Sequence, residues 1–159
     1  RTYLNRTENG VVEKAPVSKA KKLFPVVKDG DVHGGAIRLG TATAGVIGVA
    51  EGIETSLAIR AATGMPVWPV LSASLMRSFE PPEGVTEVVI WADRDLPDRK
   101  GRTAGQDAAE VLQARLLEKG IRASIKIPDA SSSTDVSVDW ADVYTSSGLT
   151  GFPRKSKAA

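Results

Sequence analysis

The sequence predicts an α/β fold: an open, mainly parallel sheet flanked by helices, preceded by a small N-terminal β appendage. Three observations carry this expectation. Apolar runs at residues 46–50, 67–71, 85–92 and 122–127 are nearly continuous, as strands buried on both faces of a parallel sheet are. Segments of helical period separate them, so the order reads β-α-β-α-β-α-β. The chain has 159 residues of which 42% are hydrophobic, enough for one domain core with a small addition.

From the N-terminus, Asn9-Gly10 lies between Tyr3-Leu4 and Val11-Val12 and predicts a weak hairpin, followed by the basic stretch 19–22 with Lys19, Lys21 and Lys22. Two short strands, 23–27 and 35–39, are expected around the turn Lys28-Asp29-Gly30-Asp31, with His33 a turn residue beside Gly34-Gly35. The run Val46-Ile47-Gly48-Val49-Ala50 is the first buried strand. Gly52 breaks it, and Ile53, Leu57 and Ala61 mark a helix over 53–62 that Gly64 and Pro66 stop. A strand at 67–71 leads into a short helix at 75–79, closed by the turn Pro81-Pro82-Glu83-Gly84. The strand at 85–92 ends in Asp93-Arg94-Asp95 and a polar loop. Ala108, Val111, Leu112, Leu116 and Leu117 then give residues 106–119 one apolar face, with Gly120 as its C-terminal stop. A last strand at 122–127 and a Ser-rich loop precede residues 138–144. The expected division is an appendage over 1–44, a catalytic domain over 45–145 and a flexible basic tail over 146–159, with 153–159 disordered. The chain begins without Met, and we read it as a piece of a longer protein.

Composition restricts the chemistry. With no Cys, disulfide scaffolds, thiolate zinc sites, iron–sulfur centres and cysteine nucleophiles are excluded. The lone His33 cannot build a His-rich zinc centre. Carboxylates and a hard metal ion remain as agents at neutral pH. The balance of 21 Lys+Arg against 19 Asp+Glu gives a net charge of +2, slight support for a nucleic-acid partner. No apolar run has the roughly 18 residues that a membrane span needs, so a cytoplasmic chain without a membrane partner is expected.

The acidic residues fall at expected strand ends, where ligands gather in open α/β sheets. Glu51 follows the first strand of the sheet and Glu54 lies on the same side of the helix start. Asp93 and Asp95 follow the third, two residues apart and able to point the same way. Asp139 and Asp142 form a later pair. Such a group raises its own pKa values unless a cation compensates, and Mg²⁺ suits two or three carboxylates with a phosphate. Each set also has a plainer reading: Glu51 and Glu54 as first-turn helix charges, Asp139 and Asp142 as caps of a helix over 140–144. Arg94, Arg99, Lys100 and Arg102 in the loop, with Arg38 ahead of the first strand, are candidates for phosphate contact or an ordinary exposed surface.

Glu51-Gly52-Ile53-Glu54-Thr55, Ala92-Asp93-Arg94-Asp95 and Asp139-Trp140-Ala141-Asp142-Val143 together resemble the Toprim domain, in the branch found in primases and primase-helicases of plasmids, phages and integrated mobile elements. The likeness runs from about residue 34 to 144 and includes Gly35-Ala36-Ile37-Arg38-Leu39 and the Arg1-Thr2-Tyr3-Leu4 opening. It implies a Rossmann-like Toprim sheet and a metal-dependent catalytic core. Glu51 would serve acid/base work or metal contact, Asp93 and Asp95 would bind Mg²⁺ (or Mn²⁺), and Asp139 and Asp142 would lie at the same metal centre. The implied activity is DNA primase: nucleotidyl transfer from nucleoside triphosphates onto a primer along single-stranded DNA. A zinc-binding or helicase domain is expected in the parent protein, since a chain without Cys cannot contain the zinc module itself. The loop over 96–105 is longer than the compact Asp-x-Gly arrangement of the family. A Toprim-type nuclease and a non-catalytic DNA-binding module with a degenerate site are the alternatives.

Overall fold

The computed structural model describes residues 3–19, 28, 30–129 and 136–153. The expected strand at 23–27, Lys21 and Lys22, the Arg1-Thr2 opening, most of the Ser-rich loop and the end of the tail lie outside the described residues. Contacts divide the chain into two compact units, Arg1–Asp31 and Val32–Ala159.

In the first unit, β1 (Leu4–Arg6) and β2 (Val12–Lys14) pair antiparallel, with Leu4 opposite Lys14 and Arg6 opposite Val12. The turn forms where Asn9-Gly10 predicts it. Gly10 takes φ 79°, its N–H donates to Thr7 O, and Arg6 Nη1 donates to Gly10 O at 3.0 Å.

The second unit is built on four parallel strands in the order β4-β3-β5-β6: β3 (Val46–Ala50), β4 (Val67–Pro69), β5 (Glu87–Trp91) and β6 (Arg122–Lys126). The helices are α1 (Ile53–Thr63), α2 (Ala73–Ser78), α3 (Ala104–Glu118) and α4 (Trp140–Ser147). The chain enters at β3, crosses through α1 to β4, returns past β3 to β5, and continues outward to β6. Parallel crossovers are right-handed, so opposite travel places the helices on opposite faces. One face carries α2 and α3 over Ile47, Val49, Val88 and Ile90; the other carries α1 and α4 over Ala50, Val89 and Trp91. Alternate residues of each strand serve alternate faces.

A single glycine makes the second face fit. A Cβ on Gly48 would stand 2.8 Å from Val67 Cγ2 and 3.1 Å from Trp91 Nε1, so only a bare backbone admits the indole. Trp91 then packs edge-to-face on Trp140, centroids 4.9 Å apart at 86°.

Two expectations are corrected. Residues 35–39 form no strand. Ile37 N–H donates to Pro69 O, but Pro69 has no N–H to return, so the edge of β4 cannot extend the ladder there. The expected tail over 146–159 also starts too early: α4 runs to Ser147, a 3₁₀ turn spans Gly148–Gly151, and Phe152 is buried against the tryptophan pair. Its aromatic ring supplies apolar area that a basic-tail reading overlooks. No described helix is long and apolar enough to cross a membrane.

Candidate metal centre at the sheet's switch point

β3 and β5 are neighbours whose onward connections leave in opposite directions. This geometry opens a crevice at their carboxyl ends, the place where open α/β sheets hold ligands. Glu51 follows one strand and Asp93 the other. Glu51 is further fixed through its backbone: its carbonyl accepts from the N–H of Leu71, a non-glycine residue at φ 71°. Such a left-handed conformation costs on the order of 1 kcal/mol and persists only where the surroundings hold it.

Asp93 is the centre of the group. Its pKa is pushed up to about 7, first by burial and then by the charges of Asp139, Glu51, Asp95 and Asp142. Asp93 Oδ1 is buried and has no hydrogen-bond partner among the described residues. An oxygen left in that condition is costly unless something outside the chain satisfies it.

Asp95 is held by the start of α3. Its Oδ2 accepts from Gly105 N at 2.7 Å, and its own N–H donates to Gln106 Oε1 at 3.1 Å. Gly105 is the second residue of α3, so Asp95 satisfies one of the helix's unpaired donors from a distance. A Cβ on Gly105 would come within 2.8 Å of Asp95 Oδ2, so the glycine is needed for this approach. The sequence reading puts Gly105 at the end of the polar loop and Gln106 at the helix start and gives neither a role at the site; the helix begins at Ala104, which brings Gly105 into its first turn.

Asp139 and Asp142 build a capping box on α4: Asp139 Oδ1 accepts from Asp142 N at 2.8 Å, and Asp142 Oδ2 accepts from Asp139 N at 3.1 Å. The helix-cap reading is thus realised, while both charges still act on Asp93. Glu54 lies exposed in the first turn of α1 and is not among the charges raising Asp93.

The basic residues divide differently from their grouping in the sequence. Arg94 Nε donates to Pro128 O at 2.8 Å, turned into the protein rather than outward. Arg102 is paired with Asp98 at 2.7 Å, and Asp98 also accepts from the N–H groups of Lys100 and Arg102. These bonds hold the Asp98 carboxyl down at about 2. Arg38 stacks over Trp68 with 5.6 Å between guanidinium carbon and ring centroid. Arg99 and Lys100 are exposed, and their side chains have no ion pair among the described residues.

Among the described residues no three His, Cys, Asp or Glu side chains form a group that could hold a metal ion by themselves. The donor set nevertheless suits a hard cation: carboxylate oxygens only, one of them buried and orphaned, with repulsion a cation would relieve. Mg²⁺ commonly binds through one or two carboxylates and completes its shell with water and phosphate.

An open α/β sheet with carboxylates gathered at its switch point is an arrangement suited to a hard cation and a phosphate ligand. The family profile described as the Toprim domain matches residues 46–149, and the chain belongs to that family. No curated protein and no solved structure shows a significant match to the chain. Membership implies metal-dependent chemistry on nucleic acids.

Proposed function

We propose that the chain is the catalytic Toprim domain of a DNA primase of the mobile-element type, which makes short primers on single-stranded DNA by nucleotidyl transfer. The observation that carries the reading is Asp93, whose orphaned oxygen and raised pKa call for a cation among Glu51, Asp95, Asp139 and Asp142. The choice of primase within the family rests on the three acidic motifs and their resemblance to that branch.

Asp93 Oδ1 and the Asp95 oxygen not engaged by Gly105 are the groups that would hold Mg²⁺ or Mn²⁺. The cation supplies charge neutralisation for the attacking and leaving oxygens of an in-line displacement. Glu51, at the end of the neighbouring strand, is assigned the proton of the attacking 3′ hydroxyl, taken at its carboxylate. Arg99 and Lys100 hold phosphate oxygens of a nucleoside triphosphate or of the template. Asp139 and Asp142 contribute charge while one oxygen of each stays on the α4 cap. A zinc-binding or helicase domain of the parent protein would present the template.

The test is to incubate the protein with labelled single-stranded DNA, nucleoside triphosphates and Mg²⁺ or Mn²⁺. Metal-dependent lengthening is expected, lost by about two orders of magnitude or more in Asp93→Ala and Asp95→Ala with the near-UV spectrum preserved. Shortened strands would transfer the reading to a nuclease at the same carboxylates. A calorimetric Mn²⁺ titration without binding would leave a non-catalytic module.

A further inference from the structure

Arg94 stands between the two aspartates of the β5 exit, the position from which a guanidinium is expected to reach substrate phosphate. Its contacts point elsewhere. The Arg94 N–H donates to Val138 O at 2.9 Å and the Val138 N–H donates to Arg94 O at 3.0 Å, an antiparallel bridge between the β5 exit and the approach to α4. Its Nε donates to Pro128 O at 2.8 Å, just beyond β6, where Pro128 is itself buried. Two further bonds flank this pair: Leu96 N donates to Ser137 Oγ at 3.1 Å, and Trp140 Nε1 donates to Ala92 O at 3.2 Å. Every described polar bond of the Arg94 main chain and side chain thus ties the strand carrying Asp93 and Asp95 to the two chain segments beside it.

We propose that Arg94 is a positioning residue for the carboxylate centre and not a phosphate contact. Its main-chain bridge to Val138 ties the Asp93–Asp95 arm to the approach to α4, where Asp139 and Asp142 sit, and its Nε bond to Pro128 anchors the same arm to the end of β6. The physical need is clear: mutually repelling carboxylates push their supporting segments apart, and hydrogen bonds between those segments oppose that push. Partners of this kind, one step back from the ligands, typically change metal affinity by about 10–100-fold when removed. The proposal rests on the reading of these carboxylates as a metal centre.

Two substitutions separate the roles because they remove the same charge. Arg94→Gln keeps an N–H donor at the position of Nε, since both are bonded to Cδ. Arg94→Met has the same reach and no donor. Calorimetric Mn²⁺ titration of the protein is expected to give wild-type affinity for Gln and about 10-fold weaker binding for Met, with thermal melts confirming folded samples. Should Met fail to fold, the Gln variant still decides through single-stranded oligonucleotide binding against salt. A positioning residue leaves the slope of log affinity on log salt unchanged, whereas a lost phosphate contact lowers it by about 0.7. Equal Mn²⁺ affinity of Gln and Met, or a reduced slope for Gln, overturns the assignment. Absence of Mn²⁺ binding by the wild-type protein is a different result, which overturns the metal-centre reading beneath it.

Discussion

At Asp93, folding and function oppose one another. Burial and four neighbouring carboxylates raise its pKa from 3.8 to about 7, so the folded state holds a proton that the unfolded chain has lost. The stability this contributes is complete below the unfolded value and is lost as pH rises through about 7. Without divalent cations the domain should therefore melt at lower temperature at pH 8 than at pH 5. Asp93→Asn is expected to flatten that dependence and raise stability at pH 8 by about 1–3 kcal/mol, read from denaturant titrations at both pH values. A variant no more stable than wild type at pH 8 would contradict the repulsion. That Glu51, Asp93 and Asp95 stand at strand ends is legible in the sequence, because an apolar strand run and the residues after it are local pattern. Which oxygens remain unpaired is not legible. That depends on Gly105 and Gln106 meeting Asp95 across the loop, and the sequence carries no periodic sign of such a meeting.

Among the elements, α4 shows how one residue serves two purposes. Asp139 caps the helix through its carboxylate and, after burial, is the largest cause of the raised Asp93 pKa. Asp139→Ala removes both effects. The lost cap should cost about 1 kcal/mol at pH 5, where Asp93 is already protonated, and less at pH 8, where relief of repulsion offsets it. Asp139→Asn keeps the cap and removes the charge, so it should stabilise the domain at pH 8; thermal melts of both variants at the two pH values check this. The acidic spacing of Asp139 and Asp142 admits a cap and a metal ligand equally, and only the folded geometry shows the box. The segment at 35–39 fails in the other direction. Its β-like composition was legible, but the missing N–H of Pro69, which denies it a partner, belongs to another part of the chain.

For the molecule as a whole, strand order matters more than any one side chain. Reversal of direction between β3 and β5 creates the crevice, and right-handed crossovers send α1 and α3 to opposite faces. The alternation of strands and helices was readable, whereas the order β4-β3-β5-β6 is a property of long-range pairing. The same topology sets Trp91 and Trp140 against each other, one at the end of β5, two residues before Asp93, and the other next to Asp139. Trp68, the third of the chain's three tryptophans, lies in the core of the opposite face. The perpendicular pair is thus a built-in optical gauge: its coupled near-UV dichroism should vanish in Trp140→Phe and shift when Mg²⁺ is titrated into the wild-type protein. Arrival of a cation would then register as a change in the near-ultraviolet dichroism of the protein's own indoles, with no label attached and no turnover required.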